Sequence, residues 1–145
     1  MKEAMMALSA AHLKVGDMHS ERVVDNLSRT QIVQYAGASG DYNPLHTDDL
    51  YTREMIGYPS VFAHGMLTMG LAGKMLTNYV GDGRLTKFGV RFTNQVWPGD
   101  TLDTTSTVTA IREEGGQHYA DLILSTINQD GKEVLNGTAT ARIDP

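Results

Sequence analysis

The chain has 145 residues, 41% of them hydrophobic, and a formal net charge of −5. That suffices for one domain with its own core, and the acidic balance argues against a nucleic-acid partner. There is no cysteine, which excludes disulfides, thiolate nucleophiles and cysteine-ligated zinc and fits a cytoplasmic protein.

No apolar run approaches the roughly 18 residues that a helical membrane span needs, so no membrane is expected. Residues 1–14 read as an N-terminal leader whose apolar run, residues 4–8, is short for a secretory signal. Residues 15–145 read as a single domain. Val15-Gly16-Asp17 is a turn before a short strand over residues 21–26. Ser28 suits a helix N-cap, with Ile32, Val33, Tyr35 and Ala36 following at helical spacing and Gly37 and Gly40 closing the helix. Residues 41–47 form a loop. Asp48 or Asp49 caps a helix of one to two turns that ends near Gly57. Residues 65–76 are apolar almost all round, which predicts a helix buried on most sides. Met66, Gly70, Gly73 and Thr77 share one face of it, where a sheet is expected to lie close.

The second half changes period. Phe88, Val90 and Phe92 alternate with Gly89, Arg91 and Thr93, which predicts a strand. After a turn at Pro98-Gly99-Asp100, Leu102, Thr104, Ser106, Val108 and Ala110 continue with period two in a threonine-rich composition suited to strands. Glu114-Gly115-Gly116 reverses the chain, and Ala120, Leu122 and Leu124 alternate again. Asp130-Gly131 signals a hairpin into a last strand over residues 134–143. The order is one early strand, helices, then four antiparallel strands. The architecture that satisfies it is α+β, an antiparallel sheet wrapped around one long apolar helix. Such a sheet leaves edges to cover, which predicts a dimer.

Two segments carry candidate chemistry. Asp41 and His46 share the loop Gly40-Asp41-Tyr42-Asn43-Pro44-Leu45-His46. Histidine titrates near neutrality and suits proton transfer. Pro44 fixes its own φ and pushes Asn43 towards extended backbone. Loop chemistry alone leaves two readings open: a pair converging on one water, or Asx-turns that cap their own backbone. His64-Gly65 opens the apolar helix. A helix start presents unpaired N–H groups, and Gly65 lets a ligand approach closely. The plainer reading is a first-turn glycine beside a core histidine. Lys74, Arg84, Lys87 and Arg91 are cations available to a phosphate-bearing carrier or to plain solvent. His12, His19 and His118 read as exposed.

The strings Tyr35-Ala36-Gly37-Ala38-Ser39-Gly40-Asp41-Tyr42-Asn43-Pro44-Leu45-His46 and Phe62-Ala63-His64-Gly65-Met66-Leu67-Thr68 together resemble the MaoC-like hot-dog dehydratases. That family includes (R)-specific enoyl-CoA hydratases and (3R)-hydroxyacyl-ACP dehydratase subunits. Arg91-Phe92-Thr93 and Pro98-Gly99-Asp100 extend the resemblance over about residues 28 to 100. It implies a hot-dog fold and reversible hydration of a trans-2-enoyl thioester to the (R)-3-hydroxyacyl thioester. It implies Asp41 and His46 as the catalytic pair and the Gly65 amide as oxyanion donor. Asn43 fixes the loop and, with His64, Lys87 and Arg91, is expected to contact substrate. No metal and no cofactor are implied. The expected partners are an acyl-CoA or acyl-ACP thioester and a second hot-dog subunit, identical or related. The alternatives are a thioesterase on the same scaffold, which the position of the acidic residue disfavours, or one subunit of a hetero-oligomeric dehydratase.

Overall fold

The structure, a computed structural model, describes residues 7–145. Five strands form one antiparallel sheet in the order β1-β3-β4-β5-β2. They are β1 (Met18–Val24), β2 (Leu85–Phe92), β3 (Leu102–Glu114), β4 (Gln117–Ile127) and β5 (Glu133–Ile143). The central ladders are long. β3 pairs β4 from Asp103↔Ile127 to Glu114↔Gln117, and β4 pairs β5 from His118↔Ile143 to Ile127↔Glu133. Register shifts between Val108 and Ala110, and between Arg22 and Val24, bend the sheet locally.

The early strand starts and ends sooner than the expected residues 21–26. Met18 already pairs with Thr107, while beyond Val24 the chain leaves the ladder, with Asn26 at φ 52° and the Leu27 amide bonded to the Asp100 carbonyl. The two tight reversals in the second half follow the glycines. Gly115 and Gly116 both have positive φ between β3 and β4, and Gly131 has φ 76° between β4 and β5, a conformation glycine adopts without penalty.

Helix α1 (Arg29–Ser39) opens on a full capping box between Ser28 and Gln31. It runs through Gly37 and stops at Gly40, which is left-handed at φ 75°. Two short pieces follow, α2 (Pro44–Thr47) and α3 (Asp49–Tyr51), then a π-helical turn over Thr52–Ile56 that closes on a left-handed Gly57. Asp48 caps α3 by accepting from the Tyr51 amide at 3.1 Å.

The apolar segment becomes helix α4 (Gly65–Val80), longer than the expected residues 65–76. It buries Ala72, Met75, Leu76 and Val80 against Val108, Leu122, Leu124, Leu135, Ala139 and Ile143 of the sheet. Each of the larger side chains among these contributes roughly 1.5–3 kcal/mol of transfer free energy. The helix is not enclosed on all sides. Met66 is 57% exposed and Gly70 has no neighbour where a Cβ would stand, while Gly73 on that face meets the sheet at the Phe88 ring. The buried stripe is the one through Thr68, Ala72, Met75 and Leu76, so the face through Met66 and Gly70 stays open.

Part of the expected leader belongs to the folded body. Ser9 bridges to Asp144, the Ala10 amide donates to the Asp144 carbonyl at 2.7 Å, and Leu13 is buried in the main core. The rest of the expected leader, residues 1–6, lies outside the described residues. His19 is not free in solvent either: it stacks on Tyr79 with centroids 4.4 Å apart and bonds Glu21 at 2.8 Å.

Candidate active site

The loop after α1 is built from nested side-chain turns. The Asp41 carboxylate accepts from the Asn43 amide at 3.2 Å, and the Asn43 side chain accepts from the Leu45 amide at 3.0 Å, capping α2. Pro44 occupies the first turn of α2, where its missing N–H costs nothing. Asn43 has φ −51° and ψ 131°, as the residue before a proline should. The Asx-turn reading is therefore realised, and it is compatible with the other one. One Asp41 oxygen closes the turn while the exposed carboxylate still faces outward.

His46 emerges from α2 half-buried. Its Nδ1 bonds the Phe62 carbonyl at 2.6 Å. A carbonyl only accepts, so Nδ1 carries the hydrogen and Nε2 of the neutral ring presents a lone pair. Burial pushes the His46 pKa below its ordinary 6.5; the Phe62 bond and Asp41 oppose this, and the neighbouring His64 adds to it. Phe62, Tyr58 and Trp97 pack edge to face behind the ring, with centroids 5.6 to 5.8 Å apart.

His64 is 2% exposed and immediately precedes α4. Its Nε2 donates to the Asp41 carbonyl at 2.9 Å, and its ring stacks on His46 with centroids 3.9 Å apart and planes 25° from parallel. His64 thus ties three pieces together: the Asp41 segment, the His46 ring and the start of α4. Among the described residues the Gly65 amide has no hydrogen-bond partner. It is the open positive end of a 16-residue helix.

Asp41, His46 and His64 each offer a donor atom, all within 4.8 Å of one another. Between the carboxylate and His46, that span suits a single bridging water. As metal ligands the three are poorly arranged. A metal lies in the plane of each imidazole it binds, at about 2 Å. Two stacked rings whose planes differ by 25° do not share such a point. One nitrogen of each ring is also committed to a backbone carbonyl.

Two cavities meet here. One, about 390 Å³, is lined by His46, Phe62, Ala63, Thr68, Val96 and Val134 among others. The other, about 450 Å³, is lined by Tyr35, Ser39, Asp41, His64 and Met66. Gly65 and Phe92 line both. The structure does not bring Lys87 and Arg91 to either cavity. They alternate along β2 with Phe88 and Val90, which face the core, so the two cations stand on the opposite face of the sheet. Lys87 adds there to Arg112, the main influence holding the Asp121 carboxyl below its ordinary range. Arg84 is paired with Asp144 at 2.7 Å. Thr68, Phe62 and Phe92 line the site without having been singled out from the sequence for it. From the sequence Phe92 is the last inward residue of an alternating strand and part of the Arg91-Phe92-Thr93 string of the resemblance, with no site role attached.

Residues 12–126 match the MaoC like domain family. The chain belongs to this MaoC-like family. The (R)-specific enoyl-CoA hydratase of Rhodospirillum rubrum is 30% identical over 126 residues, covering 86% of this MaoC-like chain and 85% of the relative. The 3-hydroxyacyl-thioester dehydratase Y of Mycobacterium tuberculosis is 36% identical over 91 residues, which is 61% of this chain but only 31% of that protein. Among solved structures, the (R)-hydratase from A. caviae involved in PHA biosynthesis superposes with a TM-score of 0.81 at 26% identity, over 92% of this chain and 99% of that one. The five-stranded antiparallel sheet packed on α4 is accordingly the hot-dog fold of the MaoC-like proteins.

Proposed function

We propose that this MaoC-like domain catalyses the reversible addition of water to a trans-2-enoyl thioester, giving the (R)-3-hydroxyacyl thioester, with coenzyme A or acyl carrier protein as the thiol. The observation that carries this is the convergence of the Asp41 carboxylate and the His46 imidazole, within 4.8 Å, beside the unpartnered Gly65 amide. The similarity to hydratases and dehydratases supports it, and the (R) outcome rests on the name of the Rhodospirillum rubrum relative.

In the hydration direction one water lies between Asp41 and His46. Its oxygen bonds to C3 while His46 Nε2 takes a proton and Asp41 orients the other. The C2=C3 electron pair moves onto the thioester carbonyl, making an enolate whose oxygen accepts from Gly65 N–H. The enolate then collapses, and C2 takes up a proton returned from the same pair. Proton transfer of this kind contributes typically about 10²–10⁴-fold, and one oxyanion donor about 10²–10³-fold. No electron changes hands, so the reaction calls for no redox group.

A dimer fits the same reading. β2 ends the strand order, so one of its edges is unpaired among the described residues, and a second copy or a related subunit is the natural cover. No helix among the described residues is long and apolar enough to cross a membrane; a cytoplasmic site of action accords with the absence of cysteine. The test is hydration of conjugated enoyl thioesters, followed by loss of their ultraviolet absorbance. Crotonyl, octenoyl and longer CoA and ACP thioesters cover the range. Silence of the purified chain on all of them, or release of free thiol to a trapping dye, overturns the proposal.

A further inference from the structure

Phe92 is out of place for an inward residue of a core strand. It is 47% exposed although Phe88 and Val90 before it pack on the main core. Its ring lies flat against the start of α4. A Cβ on Gly65 would stand 3.0 Å from Phe92 Cε2 and 3.1 Å from Cδ2 and Cζ. The ring and that glycine are the two elements common to the cavity holding His46 and the cavity holding Asp41.

One half of this partition is fixed, because Gly65 is the first residue of a 16-residue helix. The backbone on the other side is fixed too. Thr93 N–H donates to the Val134 carbonyl at 2.9 Å, the Thr93 hydroxyl to the Glu133 carbonyl at 2.8 Å, and the Asn94 side-chain amide to the same carbonyl at 2.7 Å. What remains free to move is the ring, rotating about its own side-chain bonds at a half-exposed strand end.

We infer that the Phe92 ring gates the passage between the two cavities and sets the substitution tolerated at C2 of the substrate. This rests on the hydration reading. A thioester oxygen on the Gly65 amide places C1 at the glycine, and C3 must reach the water between Asp41 and His46. C2 therefore lies in the Gly65–Phe92 passage. A hydrogen at C2 fits beside a rotated ring; a methyl branch competes with it for the same space. Phe92 is in these terms a specificity-determining residue, selecting enoyl thioesters unbranched at C2.

The experiment compares kcat/KM for crotonyl-CoA and its 2-methyl analogue (tiglyl-CoA) in wild type, Phe92→Ala and Phe92→Leu. The ratio of branched to unbranched is independent of how much protein is folded, and a purely structural role leaves it unmoved. One methyl in a hydrophobic pocket is worth about 10–200-fold, so Phe92→Ala raises the ratio at least about 10-fold and Phe92→Leu raises it less. An unchanged or lowered ratio in an active Phe92→Ala overturns the gate and leaves the hydratase reading standing. Wild type inactive on both thioesters and on the longer unbranched enoyl thioesters removes that reading instead. The gate is then measured by calorimetry, as relative affinity for butyryl-CoA and 2-methylbutyryl-CoA. A shift towards the branched ligand in Phe92→Ala supports it, and equal ratios overturn it.

Discussion

The two ends of α4 are built to opposite rules. At the C-terminal end Val80 and Leu76 are buried in the main core, the Gly81 amide donates to the Thr77 carbonyl at 2.9 Å, and Arg84 ties the exit to Asp144. At the N-terminal end no side chain caps the helix, the Gly65 amide has no partner among the described residues, and cavities open on either side of it. Even the buried His64 leaves its Nδ1 without a hydrogen bond, an arrangement that costs about 1–3 kcal/mol in a packed interior. The far end of the helix is anchored in the core, and the groups proposed for catalysis gather at the end left open. One apolar helix supplies both because the sheet grips its far half.

The contrast is broken most severely by removing the proposed acid/base pair. Asp41→Asn and His46→Ala should each lower kcat by about 10²–10⁴-fold with melting temperature nearly unchanged, since both side chains sit on the open end and neither belongs to a buried apolar cluster. Steady-state kinetics beside thermal denaturation decides it. A parallel loss of folding in both variants would mean that the pair holds the loop together and performs no proton transfer.

The opposite break is Leu76→Ala. Leu76 is 0% exposed, and truncating such a leucine costs about 2–5 kcal/mol through lost transfer energy and the cavity left behind. Denaturant titration should show that loss, while kcat per folded molecule stays near wild type. A drop in kcat as large as that for His46→Ala would show that the two ends of the helix are mechanically coupled.

How much of this division was legible in the sequence depends on how local each signal is. Asp41, Asn43, Pro44 and His46 lie within one turn of chain, so their spacing alone restricts their geometry, and the Ser28 cap, the Gly40 stop and the Gly57 stop were equally local. The long second-half strands followed from period-two alternation, but the sheet order, in which β2 pairs with β5 and not with β3, did not. The non-local parts were harder. Nothing along the chain says that the end of β2 hangs over the start of α4, so Phe92 looked like ordinary core. Met66 and Gly70 matched a buried face by composition, yet Met66 is exposed and Gly70 has no neighbour where a Cβ would stand. For Lys87 and Arg91 the signal was present: the alternation that points Phe88 and Val90 inward sends both cations outward. Charge suggested a phosphate contact, and the strand period decides against these two reaching the cavity within one chain.

The smallest effect sharpens the open end itself. In the proposed mechanism His46 acts as a base only when neutral, and burial holds its pKa below 6.5. The acid limb of log kcat/KM, which reports the free enzyme, should therefore lie below pH 6.5, with activity on a plateau at neutral pH. His64→Gln keeps an N–H for the Asp41 carbonyl but removes the imidazole stacked on His46. Because His64 disfavours a charge on His46, though less than burial does, its loss should move the limb back towards 6.5. A limb at or above the ordinary histidine value in wild type would place the titrating base elsewhere. A limb that stays put in His64→Gln while kcat falls would make His64 a purely geometric support, clamping Asp41 beside the helix start without tuning its neighbour.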